Sequence, residues 1–306
     1  MRWMRYPPLV PMRTPLSLHP PIHRVGIVAR RNHPAAHARA LELCRWLRAK
    51  GREVMTEEEL DDRGLASRRL PSEALKDHID LLVVLGGDGT LIHASTLLAG
   101  APIPILGVNM GSLGFLTEIR EHEMYETLEP VLEGRYRLDE RMKLEAALRR
   151  GEGAPIFQGQ VLNDVVISKG ALARIADIEA HLDHTFVTTY KADGVIVATP
   201  TGSTAYSLSA GGPILFPNLE AMVISPICPH TLTQRPLVVP PDLPVELRLT
   251  SDNGEVFLTL DGQRGLAMEP GDRVEIRRSA HRVLLVRSAA LDYFSILRTK
   301  LRWGER

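Results

Sequence analysis

The residues most suited to chemistry form the turn Gly86-Gly87-Asp88-Gly89-Thr90, where one carboxylate stands among three glycines. An apolar run precedes the turn and a helical pattern follows it, so we predict a buried strand, a tight turn and a helix. This arrangement presents backbone N–H groups and the positive end of a helix to an anion, which is typical of a phosphate site. Because a bare carboxylate repels phosphate, Asp88 fits there if a cation bridges it or if it accepts a proton from an attacking group.

The turn by itself also allows a simpler interpretation, in which Asp88 only caps the helix. Two other nucleotide sites do not fit the pattern. The dinucleotide-binding pattern G-x-G-x-x-G fails because Ile92 stands where its last glycine belongs, and the P-loop pattern does not occur in the sequence.

A hydroxyl-rich segment follows an apolar stretch at residues 194–198. Hydroxyl groups suit hydrogen bonding to a ribose, and an aromatic ring suits stacking on a base, so the segment is compatible with nucleoside binding. The alternative is a loop whose hydroxyls bond its own backbone. The residues concerned are Thr199, Thr201, Ser203, Thr204, Tyr206, Ser207 and Ser209.

Two further polar segments, Asn163-Asp164 and Asp261-Gly262-Gln263, adjoin apolar runs. A buried amide and carboxylate need hydrogen-bond partners, which the diol of a ribose would supply to Asn163 and Asp164. An ordinary turn at a strand edge is the alternative. The second segment is most simply a hairpin turn.

The elements that must position these residues alternate between strands and helices in the first half of the chain. We predict strands at 24–30, 53–56, 80–86 and 103–109 and helices at 34–50, 90–100 and 121–132. Such alternation implies a parallel sheet, whose ligands bind at the carboxyl ends of the strands, where Asp88 and Asn109 would lie. The glycine-rich segment 107–116 is predicted to be a flexible loop at the same edge.

Beyond residue 140 the pattern changes to short β-rich segments punctuated by Pro and Gly, which predicts a second, β-rich, sandwich-like domain. We therefore expect an α/β domain at 24–138, a β-rich nucleotide-binding domain at 139–287, and a tail at 288–306 whose amphipathic part forms a helix. The Pro-rich residues 1–23 are predicted to be a disordered extension without a role in the fold.

The composition excludes several classes of function. Lys+Arg and Asp+Glu number 37 each, so no net charge favours a nucleic-acid partner. No apolar run approaches the roughly 20 residues that span a bilayer. The two cysteines, Cys44 and Cys228, lack metal-ligand spacing and are expected to be free thiols in a reducing cytoplasm.

Together these segments resemble the ATP-NAD kinase family in its bacterial form. The similarity runs from about residue 24 to the C-terminus. The glycine turn is also found in lipid kinases, whereas the block from Thr199 to Tyr206 is much more specific. The matching segments are 86–90, 107–116, 163–164, 193–213, 224–232 and 261–263. At position 164 this chain has Asp where the family more often has Glu, which shortens the reach to the ribose.

The resemblance implies that ATP, with a divalent metal such as Mg²⁺, phosphorylates the 2′-hydroxyl of the adenosine ribose of NAD to give NADP. It implies that Asp88 is the base on that hydroxyl and that the tail returns to the first domain. The implied phosphate cradle is Gly86, Gly87, Gly89 and Thr90. The implied nucleotide-binding residues are Phe115, Asn163, Asp164, Lys191, Asp193, Thr201, Thr204, Ala205, Tyr206 and Ser209.

The resemblance also implies a homodimer or homotetramer that acts on small molecules, without a nucleic-acid or membrane partner. Two alternatives stay open at this point. One is a lipid or sugar kinase that shares the glycine turn, and the other is a non-catalytic nucleotide-binding sensor.

Overall fold

The computed structural model describes residues 17–58, 60, 68–171, 174–252, 254–288 and 292–303. The α-helices in these ranges are α1 (Pro34–Ala49), α2 (Asp88–Leu97), α3 (Met124–Leu132), α4 (Tyr206–Ser209) and α5 (Tyr293–Leu301). Short 3-10 helices span Ser72–Asp77, Glu121–Glu123 and Gly202–Thr204. The strands are β1 (Ser17–Leu18), β2 (Arg24–Ala29), β3 (Glu53–Glu57), β4 (Arg68–Leu70), β5 (Leu81–Gly86), β6 (Pro104–Asn109), β7 (Ile119–Arg120), β8 (Arg135–Tyr136), β9 (Leu138–Arg149), β10 (Phe157–Val161), β11 (Asp164–Lys169), β12 (Ala176–Leu182), β13 (Thr185–Ala192), β14 (Gly194–Ala198), β15 (Met222–Ile227), β16 (Leu237–Val239), β17 (Val245–Leu249), β18 (Val256–Leu260), β19 (Arg264–Met268) and β20 (Arg273–Val286).

The first part of the chain forms a parallel sheet with helices on both faces. The strand order is β4-β3-β2-β5-β6-β20, and each neighbouring pair is parallel. Strand β5 is buried at every position because it lies inside the sheet between two helical layers. Leu43 of α1 and Leu128 of α3 belong to the core on one face, whereas Leu91 of α2 belongs to the core on the other.

The second part is a sandwich of two sheets around one apolar core, as predicted. One sheet has the order β16-β15-β14-β11-β18-β19, and the other contains β13-β12-β17-β20 with β9 and β10. Val165 and Val197 come from the first sheet and Leu247 and Ile276 from the second, and all four are buried in the shared core.

Strand β20 connects the two parts. Its beginning pairs with β17, most of its length pairs with β9, and Leu284 and Leu285 near its end pair in parallel with β6. One sheet of twelve strands therefore runs through both halves. The domain limits at 138/139 and 287/288 stay predictions.

The prediction that residues 1–23 have no role in the fold is wrong for residues 17–23. Strand β1 pairs with β8, and the His19 ring stacks on Tyr136 with 4.2 Å between centroids. Ile22 is buried beside α3, where its N–H donates to the Leu132 carbonyl. Residues 1–16 lie outside the described residues.

The tail forms helix α5 within the predicted range and returns towards the first part. Tyr293 at its start packs against Phe216 of the β-rich half, with 5.3 Å between ring centroids. Lys300 near its end lies over the Phe115 ring, 5.7 Å from the centroid. The helix thus reaches from the sandwich to the loop beside the glycine turn.

Candidate active site

The glycine turn joins β5 to α2 as the sequence predicted, although the helix begins at Asp88, two residues earlier than expected. Its N-cap is Gly87 and no side chain caps it, so the capping interpretation of Asp88 is wrong. A Cβ on Gly86 would lie 2.4 Å from the Thr90 hydroxyl oxygen, which makes glycine necessary where the helix packs on the strand end. Gly87 and Gly89 have open space at the Cβ position, so a ligand can approach their backbone.

The Asp88 carboxylate turns away from its own helix and holds the glycine-rich loop that follows β6. Oδ1 accepts the N–H groups of Leu116 and Thr117 and the Thr117 hydroxyl, each at 3.0 Å. Among the described residues, Oδ2 accepts one bond, from the N–H of Phe115 at 2.8 Å. The start of α2 adds a positive dipole that stabilises the negative charge. Oδ1 is therefore fully bonded, whereas Oδ2 keeps a lone pair for another donor.

The loop around Gly114 fits closely over this carboxylate. A Cβ on Gly114 would lie 2.1 Å from Asp88 Oδ1 and 2.4 Å from Thr117 Oγ1. The Asn109 amide donates to Thr117 Oγ1 at 2.8 Å, and its oxygen accepts the N–H of Gly111 at 2.7 Å. The segment predicted to be a flexible loop is thus bonded to the glycine turn and to the end of β6.

A cavity of about 460 Å³ opens in front of the turn. Gly87 and Gly89 line it together with Arg30 and Arg31, which follow directly after β2. Because β2 and β5 are parallel neighbours, their carboxyl ends lie at the same edge of the sheet. Of the lining residues that the structure describes, Glu57 is the one carboxylate, against two guanidinium groups and a helix N-terminus, and this balance favours an anionic ligand.

Three loops of the β-rich part interlock beside the turn. The Asp261 carboxylate accepts the N–H groups of Leu162, Asn163 and Asp164 at 2.8, 2.7 and 3.1 Å. The Thr199 hydroxyl donates to the Leu162 carbonyl at 2.6 Å, and its N–H donates to the Asn163 carbonyl at 2.8 Å. The Asn163-Asp164 segment is therefore fixed by two other loops.

The hairpin Asp261-Gly262-Gln263 lies between these loops and the glycine turn. The predicted hairpin is confirmed by the pairing of β18 with β19, and positive φ angles of 51° and 65° at Asp261 and Gly262 close it. The Gln263 amide donates to the Gly89 carbonyl at 3.2 Å. This contact brings the Asn163-Asp164 segment and the Asp88 turn to one site.

A buried and a partly buried carboxyl group, those of Asp164 and Asp261, interact in this site. Asp164 is 5% exposed, and burial together with the charge of Asp261 raises the pKa of Asp164 to about 7. Burial also raises the pKa of Asp261, against the three N–H bonds and the positive charge of Lys143, which lower it. Two such neighbours do not ionise independently.

The hydroxyl-rich segment divides into two groups. Thr199, Ser203 and Ser207 are buried and their hydroxyls bond other protein groups. The self-bonded alternative is correct for Ser203 and Thr204, which donate to the Pro200 and Thr201 carbonyls. The Thr199 hydroxyl accepts from Gly202 in its own segment but donates to Leu162, and the Ser207 hydroxyl bonds Ser225. Thr201 is also buried and receives a bond from Arg141. At least partly exposed, and thus open to a ligand, are Thr204, Ala205, Tyr206 and Ser209.

A buried network of charges links the hydroxyl-rich segment to the loop that Asp88 holds. Arg141 donates to Thr201 at 3.3 Å and to Asp139 at 2.8 Å. Arg287 bridges Asp139, at 3.0 Å, to Glu118, at 2.5 Å. Glu118 follows Thr117 in the chain, and its burial raises its pKa to about 7 although Arg287 and Arg141 lower it.

The remaining predicted residues lie at the edge of this arrangement. Lys191 pairs with Asp177 at 3.8 Å, and Asp193 pairs with Lys169 at 3.6 Å. Phe115 is half-buried beside Asp88. Their nucleotide-binding roles stay predictions.

Sequence reasoning missed several residues of the site. Arg30 ends a predicted strand and Arg31 follows it, at the edge where ligands bind, so their position was a usable signal. The roles of Arg141 and Lys143 had no such signal, because a charged residue in a β-rich segment is normally exposed. The hairpin interpretation of Asp261 was correct but omitted its bonds to the Asn163-Asp164 segment.

The described residues include no group of three or more His, Cys, Asp or Glu side chains that could hold a metal ion. Within the same residues, no helix has the length and apolar character needed to cross a membrane.

Comparison with known proteins agrees with this geometry. Residues 25–136 match the ATP-NAD kinase N-terminal domain, and residues 162–288 match the ATP-NAD kinase C-terminal domain. A relative named NAD kinase from Geotalea daltonii is 52% identical over 283 residues, which cover 92% of this chain and 99% of that protein.

Two solved structures resemble the whole chain. Yeast NADH kinase complexed with NADH has a TM-score of 0.86 at 26% identity and covers 94% of this chain and 89% of its own. An NAD kinase from Archaeoglobus fulgidus in complex with ATP has a TM-score of 0.70 at 25% identity. The match covers 91% of this chain and 98% of that protein. Family models, relatives and folds agree, and the chain belongs to the ATP-NAD kinase family.

Proposed function

We propose that this protein is an NAD kinase, which transfers the γ-phosphoryl group of ATP to the 2′-hydroxyl of the adenosine ribose of NAD and so makes NADP. The observation that carries the proposal is the bond from Gln263 to the Gly89 carbonyl. Through it, a loop system suited to a nucleoside adjoins a turn suited to phosphate, as transfer between two nucleotides requires.

The phosphates of ATP fit the cavity at the start of α2. Arg30 and Arg31 line that cavity, and the open backbone of Gly87 and Gly89 can donate hydrogen bonds to phosphate oxygens. The arginine side chains would neutralise charge on the transferred group.

The adenosine ribose of NAD fits beside Asn163 and Asp164, since both side chains accept hydrogen bonds from a diol. The hydroxyl-rich segment would surround the nucleosides. The residues assigned to NAD are Phe115, Asn163, Asp164, Lys191, Asp193, Thr201, Thr204, Ala205, Tyr206 and Ser209.

Asp88 is assigned as the acceptor of the proton from the ribose hydroxyl. The hydroxyl oxygen forms a bond to the γ-phosphorus, the bond from that phosphorus to the β-phosphate oxygen breaks, and ADP leaves. The proton passes to Oδ2 of Asp88, which has a free lone pair, while Oδ1 keeps its three bonds to the loop. A carboxylate is a weak base, but in a loose transition state it needs to accept the proton only late.

A divalent cation is compatible with these residues. Mg²⁺ usually takes most of its ligands from phosphates and water and one or two from carboxylates, so a group of three protein ligands is not needed. Asp88 is the carboxylate of the glycine turn and would face the cation through a bound water, since the free lone pair of its Oδ2 is assigned to the ribose proton. The cation would neutralise charge on the phosphates. A homodimer or homotetramer and a cytoplasmic location also stay predictions.

The test is to incubate the purified protein with ATP, Mg²⁺ and NAD and to detect NADP with an NADP-specific dehydrogenase. We expect one molecule of ADP to be released for each molecule of NADP that forms. A panel of lipid and sugar acceptors serves as control. Absence of NADP across several divalent metals would refute the proposal, and phosphorylation of a panel member instead would identify another kinase.

A further inference from the structure

Three arginines come together where β8, β9 and the end of β20 meet. Arg135 and Arg137 are two positions apart in an extended chain, so their side chains lie on the same side of it. The antiparallel register of β9 and β20, continued by one pair, places Arg287 directly opposite Arg137. The Arg287 N–H donates to the Arg137 carbonyl at 3.1 Å. Because side chains of opposite residues are neighbours on one face of a sheet, the three guanidinium groups form a cluster.

This arginine cluster lines a cavity of about 300 Å³ on the α3 side of the sheet. The start of α3 and the turn before it contribute Glu123, Glu126 and Thr127 to the same lining. In the described part of the chain, neither glutamate forms an ion pair with the cluster, and Glu123 instead accepts the N–H of Arg120 at 3.1 Å. Three guanidinium groups against two carboxylates favour an anionic ligand. No lining residue belongs to the proposed ATP and NAD sites.

Arg137 is the unpaired member of the cluster. It is partly buried, its Nε is buried without a partner, and its guanidinium forms no hydrogen bond or ion pair with any residue that the structure describes. Arg135 pairs with Glu133, and both ion pairs of Arg287 are made by Nη1. Like charges directly opposite on neighbouring strands are destabilising, as is a buried charge without a partner. An anion between Arg137 and Arg287 would remove both costs.

The shape and charge of the cavity indicate which anion fits. A phosphate group carries close to two negative charges and three acceptor oxygens, so it can bond two guanidinium groups at once. The cavity is roughly ten times the volume share of one water molecule, which leaves room beyond a phosphate. The carboxylates of Glu123 and Glu126 repel a second anionic group but accept hydrogen bonds from hydroxyls, as Thr127 does. The ligand therefore has one charged end and one hydroxylated end.

We propose that this cavity binds a small phosphate ester of a polyhydroxy compound, with its phosphate between Arg137 and Arg287 and its hydroxyls towards the start of α3. The site is separate from the proposed active site, and the inference does not depend on the proposed function.

The test is calorimetric titration of the whole protein with ribose 5-phosphate, inorganic phosphate and ribose. A non-hydrolysable ATP analogue and NAD are present throughout to fill the proposed active site. We expect one ribose 5-phosphate per chain, bound at least about fivefold more tightly than inorganic phosphate because of its hydroxyl contacts. Ribose, which lacks the charge, should not bind.

Arg137→Gln should weaken binding of ribose 5-phosphate at least ~10-fold, since it removes a hydrogen bond between charged groups. Arg277→Gln is the matched control, because it removes an exposed arginine elsewhere on β20. Arg30→Gln changes the cavity proposed for ATP and should bind ribose 5-phosphate as wild type does.

The melting temperature separates a ligand-binding role of Arg137 from a structural one. Ligand-free Arg137→Gln should melt at the wild-type temperature or above it, because the substitution removes a like charge beside Arg287. A lower melting temperature would overturn the inference. So would absence of binding, equal affinity for ribose 5-phosphate and inorganic phosphate, binding that survives Arg137→Gln, or binding that Arg30→Gln abolishes. Binding is measured without turnover, so the outcome is independent of whether the protein makes NADP.

Discussion

Gly114→Ala should separate the position of Asp88 from its chemical identity. The substitution adds and removes no titratable group. It adds one methyl group at a point where the Cβ would lie 2.1 Å from Asp88 Oδ1 and 2.4 Å from Thr117 Oγ1. Real Cβ contacts are essentially never shorter than 3.0 Å, so the loop or the carboxylate must move by about 0.9 Å.

The size of that movement sets the expected effect on rate. A displacement of about 1 Å in a catalytic group can cost ~10²-fold in rate, so we expect kcat to fall about 100-fold. Losing one charge-assisted hydrogen bond from the loop to Asp88 should also lower the free energy of unfolding by about 2 kcal/mol. KM for NAD should change much less than kcat, because Asn163 and Asp164 are held by other loops and Phe115 is the one assigned NAD residue that moves with this loop.

Gly111→Ala is the matched control in the same loop. The nearest atom to its added Cβ is Asn109 Oδ1 at 3.9 Å, an ordinary contact, so kcat should stay within about twofold of wild type. Steady-state assays with an NADP-specific dehydrogenase measure both variants, and urea unfolding measures their stability. Wild-type kcat in Gly114→Ala would show that the rate does not depend on where the loop holds Asp88.

Three further substitutions test other parts of the site. Asp88→Asn should bind NAD almost normally in calorimetry but turn over at least ~10²-fold more slowly, and near-normal turnover would remove Asp88 as the base. Since burial raises the pKa of folded Asp164 to about 7 from 3.8, wild-type stability should fall as pH rises through that interval, whereas Asp164→Asn should escape this loss. The melting temperatures of wild type and Asp164→Asn at pH 5 and pH 8 test this prediction. If the two proteins differ in melting temperature by the same amount at both pH values, the prediction is contradicted. Arg141→Gln removes one of the two arginines that pair with the buried Asp139 and should cost about 3 kcal/mol in urea unfolding. Arg282→Gln, which removes a partly exposed arginine, should cost about 1 kcal/mol or less, and equal costs would refute the distinction.

The sequence predicted the parts of the fold that depend on local pattern. The apolar run before Gly86 specifies β5 and the helical pattern after it specifies α2. Each pattern can be recognised within about ten residues of sequence. Strand β20 lies in the region predicted to be β-rich, but its length and its role in joining two sheets were not predicted. Pairing partners distant in the chain are set by tertiary packing, which a single sequence does not reveal.

The same limit applies to the site. Asp88 was identified by its unusual place among glycines, whereas its bonds to residues 115–117 depend on how a loop 27 to 29 positions away folds back. Asp261 was interpreted only as part of a turn, because its partners at Leu162 and Asp164 lie about a hundred residues earlier. The types of residue were predictable, but their hydrogen-bond partners were not.

Buried charges lie between the loop that Asp88 holds and the hydroxyl-rich segment. Their presence is better explained by the position they give to these two segments than by a contribution to stability. Replacing a buried ion pair by apolar residues is often neutral or stabilising, so the chain of contacts through Glu118, Arg287, Asp139 and Arg141 has little net energetic justification. Its two ends lie next to Thr117, which bonds Asp88, and at Thr201 in the hydroxyl-rich segment. Ion pairs and hydrogen bonds have preferred directions, so this chain of contacts limits how far the glycine turn can shift relative to the hydroxyl-rich segment. In-line transfer between two bound nucleotides tolerates little such movement, and that requirement accounts for charges that folding alone would not favour.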